Sequence, residues 1–294
     1  MKNRALHILA VIVVAIWGYT FVTTKTLILN GLTPSQIMFY RFAIAYLCML
    51  FIAPRPFFAR SIKDELLTLF AGVMGGSLYF VTENTALELS LTSNVAIIIA
   101  TAPIFTLLAS HFLLKDERLS RRMIINSLIA FTGVILVVYN GQIILQLNPL
   151  GDLLALIASI TWALYTIAIR KLDERGYTTK FVTRKIFFYG VLTMLPMFLF
   201  TPITPCPASK LLDPSIYLPL LFLAVAASFF CFFAWGYIVE KMGAAASAPY
   251  IYLVPVVSLI SATIFLKEPI TPLALTGMGM ILFAVIRGDK KSYS

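Results

Sequence analysis

Residues 78–110 read LYFVTENTALELSLTSNVAIIIATAPIFTLLAS and place one carboxylate, Glu83, inside an apolar segment. The segment that follows is also apolar, and Pro103 interrupts it. An ionised side chain at membrane depth is costly, so it usually faces the protein interior or a water-filled cavity. A proline within a helix removes a backbone hydrogen bond and bends the helix. The stretch therefore predicts two membrane helices beside a polar interior.

The composition is typical of a membrane protein. Of the 294 residues, 60% are hydrophobic and 12% are charged, whereas soluble domains carry about 25% charged residues. A membrane helix needs about 20 mainly apolar residues, and windows of that length predict ten such helices. They cover residues 5–24, 34–53, 66–89, 93–114, 121–140, 150–170, 179–201, 215–239, 244–266 and 270–287. The sequence therefore predicts an all-α polytopic membrane protein.

The distribution of the positive charges predicts the topology. A net charge of +10 could suggest nucleic acid, but the basic residues lie in short connections and not along one face. If the N-terminus is cytoplasmic, most of the 23 lysines and arginines lie on the cytoplasmic side. Only Lys25, Lys210 and Lys267 lie outside, and Arg41 is embedded. Because cytoplasmic loops are enriched in Lys and Arg, we predict cytoplasmic termini and no nucleic-acid partner.

Several classes of site are excluded by the same reading. The connections are too short for a nucleotide-binding domain, and no glycine-rich loop ends in Lys-Ser or Lys-Thr. The protein is therefore not expected to hydrolyse ATP. The cysteines Cys48, Cys206 and Cys231 have neither metal-binding nor redox spacing. We expect no metal, no cofactor and no disulfide framework.

The second half of the sequence repeats features of the first. The segment WGYTFVTTK at 17–25 is echoed by WALYTIAIRK at 162–171, and Ala102-Pro103 is echoed by Val254-Pro255. The FLLK of 112–115 returns as FLK at 265–267, at the same place relative to the proline. We therefore predict two repeats of five helices, one in residues 1–145 and one in residues 146–294.

Five is an odd number, so the second repeat would cross the membrane in the opposite orientation to the first. Inverted repeats of this kind are common in secondary transporters, where the substrate binds near the midplane between the repeats. Access to the site alternates between the two sides as one repeat rocks against the other. Pro103 and Pro255, one in each repeat, are then candidate hinges.

The candidate site residues are polar or aromatic side chains inside predicted helices. Tyr79 and Glu83 are four residues apart and share a helix face, with Asn84 beside them. The other candidates are Arg41, Asn94, Trp17, Trp162, Tyr165, Trp235, Tyr252 and Lys185. The repeat pairs Arg41 with Lys185, and Glu83 with Trp235, which predicts a cavity with one acidic and one aromatic wall. The alternative for each aromatic residue is contact with lipid or with the core.

The order of these features resembles the EamA family of the drug/metabolite transporter superfamily. The resemblance rests on ten helices in two halves, with Trp17 and Trp162 in the first helix of each half and Arg41 early in helix two. It also rests on a small-residue-rich run into proline and on a Leu-x-(x)-Glu turn after helices four and nine. It covers nearly the whole chain. It implies export of small metabolites, often amino acids, from the bacterial cytoplasm across the inner membrane. The polar run at 82–85 lies where such proteins are often apolar, which indicates a subgroup with its own chemistry.

Together these observations give a hypothesis for the mechanism. Glu83 would bind a substrate amine or carry a proton, while Arg41 and Lys185 would bind a substrate carboxylate. A zwitterionic amino acid is then the natural substrate, with the aromatic residues against its side chain. The alternative for Glu83 is a structural role, either paired with Arg41 or protonated as a hydrogen-bond donor.

Two other classes of protein compete with the transporter. One is a membrane-embedded enzyme that acts on a lipid-linked substrate, although His7 and His111 are far apart and match no catalytic motif. The other is a receptor or scaffold, which the duplicated, proline-interrupted helices disfavour. As partners we expect a small-molecule substrate and the lipid bilayer, with the chain as a monomer or a weak homodimer.

Overall fold

The computed structural model describes residues 2–90, 92–115, 117–139, 148–196, 207–266 and 270–289. Regular structure in these ranges is entirely helical, and no β-strand occurs in them. In the first half the α-helices are α1 (Lys2–Leu29), α2 (Pro34–Ile52), α3 (Ile62–Gly72), α4 (Leu78–Leu89), α5 (Thr92–Ile99), α6 (Ala102–Leu113) and α7 (Arg121–Tyr139). The predicted repeat boundary at 145/146 and the turn at 267–269 lie outside the described residues.

The second half has the same kind of structure. Its α-helices are α8 (Pro149–Glu174), α9 (Thr179–Met194), α10 (Ala208–Leu211), α11 (Pro214–Leu221), α12 (Cys231–Met242), α13 (Ala244–Ser247), α14 (Leu253–Leu266) and α15 (Pro272–Asp289). Two π-helical segments, Val73–Ser77 and Phe222–Phe230, and one 3₁₀ segment, Ala248–Tyr252, join consecutive α-helices.

Many of these helices are built to cross a membrane. Eight helical stretches among the described residues are long and apolar enough to do so, and a shorter apolar helix, Pro272–Arg287, follows them. The eight are Arg4–Leu29, Ser35–Ile52, Ile62–Leu89, Asn94–Leu113, Arg121–Tyr139, Pro149–Glu174, Pro214–Met242 and Ala244–Phe265. The prediction of an all-α polytopic membrane protein is confirmed. The count of ten stays a prediction, because α9 has only 16 described residues and carries Arg184 and Lys185.

Polar side chains fix where the helices begin. Thr33 precedes α2, and its hydroxyl accepts a hydrogen bond from the Gln36 backbone N–H at 3.2 Å. In return, the Thr33 N–H donates to the Gln36 side chain at 2.8 Å. This reciprocal pair satisfies two N–H groups that have no partner inside the helix. Pro34 suits the first helical position because it has no N–H to satisfy, so the predicted start of helix two is confirmed.

The helices are interrupted just before both repeated prolines. α5 ends at Ile99, and α6 begins at Ala102. In the second half, the 3₁₀ segment Ala248–Tyr252 precedes α14, which contains Pro255. Proline lacks an N–H and disfavours the α conformation in the residue before it, which explains why regular α-helix stops near each one. The predicted irregularity is confirmed, while the hinge role of the two prolines stays a prediction.

The π-helical segments were not predicted. The two segments, Val73–Ser77 and Phe222–Phe230, are related by the same spacing as Pro103 and Pro255. Each therefore interrupts the third helix of a repeat. The first contains Gly76, which has φ −118° and ψ −105°. A Cβ at Gly76 would lie 3.1 Å from the Cα of Gly190 on α9. Glycine at this position therefore permits the close approach of the two backbones.

Candidate functional site

A cavity of about 410 Å³ lies between the two halves of the chain. Its wall is mostly apolar, and residues from both halves contribute to it. The polar and ionisable side chains on the wall are Trp17, Thr20, Arg41, Tyr79, Glu83, Trp162 and Ser258. A pocket of a few hundred Å³ with a few polar groups on an apolar wall is the usual form of a small-molecule site.

Glu83 and Tyr79 form the acidic part of the wall. Both are on α4, and the Tyr79 hydroxyl donates a hydrogen bond to Glu83 Oε1 at 3.0 Å. The prediction that they share a face is confirmed. Glu83 Oε2 has no hydrogen-bond partner among the described residues. One carboxylate oxygen is therefore positioned by the protein, while the other remains available to a ligand.

Arg41 enters the same cavity from α2 and is only 7% exposed. Its Nε donates a hydrogen bond to Ser228 Oγ at 2.8 Å. The guanidinium carbon lies 5.1 Å from the centre of the Phe80 ring, a cation–π geometry. Within the described residues, Arg41 makes no ion pair with Glu83, and its two terminal nitrogens make no hydrogen bond. The cavity thus presents separate positive and negative groups.

Trp17 and Trp162 form the aromatic part of the wall, with ring centroids 5.4 Å apart and nearly perpendicular planes. Trp17 Nε1 donates to the carbonyl of Ala227 at 3.0 Å. Trp235 lies behind Trp17, at 5.4 Å between centroids, and does not line the cavity. Phe232 takes the place on the wall that was expected of Trp235. The aromatic wall exists, but one of its predicted members is a second-layer residue.

Four other predicted site residues are not on the cavity wall. Tyr165 is 1% exposed and packs behind Trp162 at 5.2 Å between ring centroids. Tyr252 is fully buried, and its hydroxyl shares a hydrogen bond of 2.7 Å with Ser127 on α7. Asn84 is half-buried on α4, and Asn94 is buried near the start of α5. Tyr165 therefore supports the wall from behind, and Tyr252 belongs to the core.

Lys185 also lies away from the cavity, so the expectation that it joins Arg41 there is wrong. Its amine forms an ion pair with Glu65 in the first turn of α3 and donates to the carbonyl of Phe57 at 3.3 Å. Lys185 is 2% exposed and is surrounded by aromatic rings, including that of Tyr189 at 4.5 Å. The nearby carboxylate and rings satisfy this buried charge, so Lys185 is not available to a substrate in the cavity.

Two wall residues were missed although the sequence carried a signal for each. Phe80 is three residues before Glu83 and shares its helix face. The repeat spacing that pairs Glu83 with Trp235 pairs Phe80 with Phe232, and both of these rings line the cavity. The two phenylalanines are thus equivalent in the two halves. The repeat alignment therefore holds for these apolar wall residues, whereas the repeat partners of Arg41 and Glu83, which are Lys185 and Trp235, do not line the cavity.

The cavity extends toward one end of the molecule. Its wall includes Leu87 near the end of α4, Val95 near the start of α5 and Val138 near the end of α7. These helix ends lie together, at the end of the molecule that holds the connection between α4 and α5. No wall residue comes from the described connections at the opposite end, which are 53–61, 114–115, 117–120 and 175–178.

Charged groups join the helices at that opposite end, which we term the closed end. Arg175 forms an ion pair with Asp64, and Lys185 with Glu65, so the hairpin of α8 and α9 is tied to the start of α3. The carboxylate of Glu117 accepts hydrogen bonds from the N–H groups of residues 244 and 245, at 2.7 and 2.6 Å. These contacts link the two halves of the chain across the closed end.

The whole chain is similar to known transporters. The model of the EamA-like transporter family matches residues 5–139 and 149–286. An "Uncharacterized transporter" of Archaeoglobus fulgidus is 29% identical over 281 residues, covering 95% of this chain and 96% of that protein. A crystal structure titled only "Crystal structure of protein" superposes with a TM-score of 0.78 at 16% identity, covering 97% of this chain and 96% of that one. That likeness shows a shared fold.

Two further relatives carry names that state a substrate. A protein of Escherichia coli (strain K12) named "Probable amino-acid metabolite efflux pump" is 26% identical over 289 residues, covering 95% of this chain and 93% of that protein. A "Probable terminal-alkyne amino-acid exporter" of Streptantibioticus cattleyicolor is 28% identical over 292 residues, covering 96% and 92%. Both similarities extend over nearly the full length of each chain.

Proposed function

Because the chain belongs to the EamA-like transporter family, we propose that it is a secondary transporter that exports amino acids or related zwitterions across the bacterial inner membrane. One observation carries the choice of substrate. The terminal nitrogens of Arg41 and Oε2 of Glu83 are both unpaired within the described residues, and both side chains line one cavity of about 410 Å³. A carboxylate and an amine on the same small molecule match these two groups in charge.

The aromatic wall suits the rest of such a substrate. Trp17, Trp162 and Phe232 present ring surface to the cavity beside the charged groups. Aromatic rings give a large apolar contact area with few rotatable bonds. An amino acid with an apolar side chain would therefore be bound at its charged end by Arg41 and Glu83 and at its other end by rings.

We propose the topology of ten membrane helices in two inverted repeats, residues 1–145 and 146–294, with both termini in the cytoplasm. The bias of lysines and arginines supports this orientation. In this orientation the closed end faces the cytoplasm. The cavity is then open to the outside, the arrangement from which an exporter has released its substrate. The interrupted helices at Pro103 and Pro255 are suited to bend as access alternates between the two sides.

For Glu83 we propose one of two transport roles, binding of the substrate amine or exchange of a proton for the substrate. Its position on the cavity wall and its single hydrogen bond to Tyr79 are compatible with both. Proton exchange predicts that a pH gradient drives export, whereas amine binding alone does not. The two roles are separated by measuring transport with and without such a gradient.

The competing enzyme is not favoured by the relatives. The family and the relatives that match along the whole chain are named as transporters and exporters. His7 lies near the start of α1 and hydrogen-bonds to Tyr250, away from the cavity wall. His111 is near the end of α6 and accepts from the N–H of Leu119 at 3.4 Å. The two histidines therefore form no shared site.

The test is efflux of a defined amino-acid mixture from proteoliposomes, measured compound by compound, with and without a pH gradient. The unaltered protein should export a few compounds selectively, and Glu83→Gln should abolish that export or its dependence on the gradient. Glu88→Gln is the matched control, since Glu88 is on the same helix but exposed and absent from the wall. If folded protein exports no amino acid, the proposed substrate class is wrong.

A further inference from the structure

The π-helical segment Phe222–Phe230 holds two side chains of the cavity wall through consecutive residues. The carbonyl of Ala227 accepts from Trp17 Nε1 at 3.0 Å, and the hydroxyl of Ser228 accepts from Arg41 Nε at 2.8 Å. Trp17 and Arg41 come from α1 and α2 in the first half of the chain, whereas the segment belongs to the second half. One short stretch of backbone therefore positions part of the aromatic wall and the cation.

The π-helical geometry explains why the Ala227 carbonyl can accept this bond. In an α-helix it would accept from the N–H four residues later, that of Cys231. Here the Cys231 N–H bonds instead to the carbonyls of Ala226, five residues back, and of Ser228. The Ala227 carbonyl is thus not the acceptor for Cys231, and it accepts from Trp17. π-Helical interruptions of α-helices often mark functional sites.

Ser228 differs from most other buried hydroxyl residues in this protein. Buried Ser and Thr in membrane helices commonly donate to a carbonyl three or four residues earlier. Thr82, Thr106 and Thr166 do so here, to Leu78, Ala102 and Trp162. Ser228 is fully buried, and its hydrogen bond among the described residues is the one from Arg41. Its hydroxyl is thus committed to the guanidinium and not to its own helix.

The remaining geometry of Arg41 is that of a carboxylate receptor. Arg41 lines the cavity, its Nε is anchored by Ser228, and its guanidinium carbon lies over Phe80. Its two terminal nitrogens make no hydrogen bond among the described residues. A planar guanidinium can donate two parallel hydrogen bonds to a carboxylate, but only if its orientation is fixed. Without Ser228 the guanidinium could rotate, and this preorganisation would be lost.

We propose that Ser228 is a positioning residue that acts through Arg41 to give the cavity its selectivity for ligands with a carboxylate. The inference rests on the proposed function, because it assigns the carboxylate of the exported zwitterion to Arg41. It also extends that function, because it predicts which ligands compete for the site. Among compounds that share the apolar part of a substrate, those with a carboxylate should bind more tightly than those without one. This preference should depend on Ser228, which does not line the cavity.

The test measures binding to the purified protein by quenching of tryptophan fluorescence, since Trp17 and Trp162 line the cavity. Three probes share an aromatic ring: L-phenylalanine, 3-phenylpropanoate and phenethylamine, of which the last has no carboxylate. Ser228→Ala should raise the Kd of the two carboxylate probes about tenfold, the effect of losing one hydrogen bond to a charged group. The Kd of phenethylamine should not change. Ser228→Thr retains a hydroxyl and should restore most of the affinity.

The outcomes separate this inference from the proposed function. Equal loss of affinity for all three probes would show that Ser228 merely supports the fold, and an unchanged Kd for the carboxylates would overturn the inference as well. Absence of carboxylate binding by the unaltered protein would also overturn it. If the carboxylate preference depends on Ser228 but proteoliposomes export no amino acid, the inference stands and the proposed export function fails.

Discussion

Removal of the Glu117 side chain should open the closed end. Its two oxygens accept from the N–H groups of Ala244 and Ala245, at 2.7 and 2.6 Å, and Arg170 Nε lies 3.6 Å from Oε1. These N–H groups start α13, where no intrahelical partner exists. Replacement of a capping side chain by alanine costs about 0.5–2 kcal/mol, and bonds to a charged acceptor lie toward the upper end. We therefore expect Glu117→Ala to cost about 2 kcal/mol.

A cost of that size changes an equilibrium constant about 30-fold. Hydrogen–deuterium exchange in detergent or nanodiscs should therefore show amides in residues 244–247 exchanging about 30-fold faster in Glu117→Ala than in the unaltered protein. Glu174→Gln is the control, because Glu174 also lies 3.6 Å from Arg170 Nε, and no backbone N–H bond to it is seen among the described residues. Exchange that stays within about twofold of the unaltered protein, or rises as much in Glu174→Gln, would refute the capping role.

Three further predictions concern stability. Lys185→Met should lower the Tm, because Glu65 is left without its cation and the free energy of unfolding falls by about 3–5 kcal/mol. The double variant Lys185→Met/Glu65→Gln should recover much of this loss. A double variant no more stable than Lys185→Met alone would contradict the pairing. Gly277→Val should destabilise by about 1–3 kcal/mol, because a Cβ there would lie in contact with the Gly133 carbonyl at 2.5 Å, whereas Gly279→Val should be tolerated with no atom within 4 Å; equal Tm values would contradict this. Hydrogen bonds from Ser215 hold the pKa of Asp213 below its usual value of 3.8. The contribution of the Asp213 carboxylate to stability is therefore complete above pH 3.8 and is lost as the pH falls through the lower pKa of the folded state. Asp213→Ala should remove this loss of stability in acid, and a pH profile of unfolding identical to that of the unaltered protein would contradict the prediction.

The fold class and part of the site followed from local sequence properties. Apolar length predicted the membrane helices, and the four-residue spacing of Tyr79 and Glu83 placed both on one wall. Arg41 was identified because a cation inside an apolar segment needs a polar neighbour, although Ser228 as that neighbour was not predicted. These inferences succeeded because each depends on a single helix and on its solvent.

The errors arose where two helices determine the result. Lys185 was assigned to the cavity from its repeat position, but Glu65, 120 residues away, pairs with it instead. Trp235 was assigned to the wall by the same alignment, and Phe232, three positions earlier, faces the cavity. The π-helical segment Phe222–Phe230 precedes Phe232 and Trp235. It has one more residue per hydrogen-bonded turn than an α-helix, so the side chains after it are rotated relative to those before it. No periodicity in the sequence signals such a rotation, so α-helical spacing does not relate the helix faces before a π-helical segment to those after it.

The segment that begins with Ala244 and Ala245, whose N–H groups bond to Glu117, continues into the cavity wall. Residues 244–259 run from the closed end, through the 3₁₀ segment, to Ile251, Val254 and Pro255 on the wall. The Glu117 contact and part of the cavity wall therefore lie on one short segment of the chain. We expect a ligand that moves this wall to change the hydrogen exchange of the 244 and 245 amides as well.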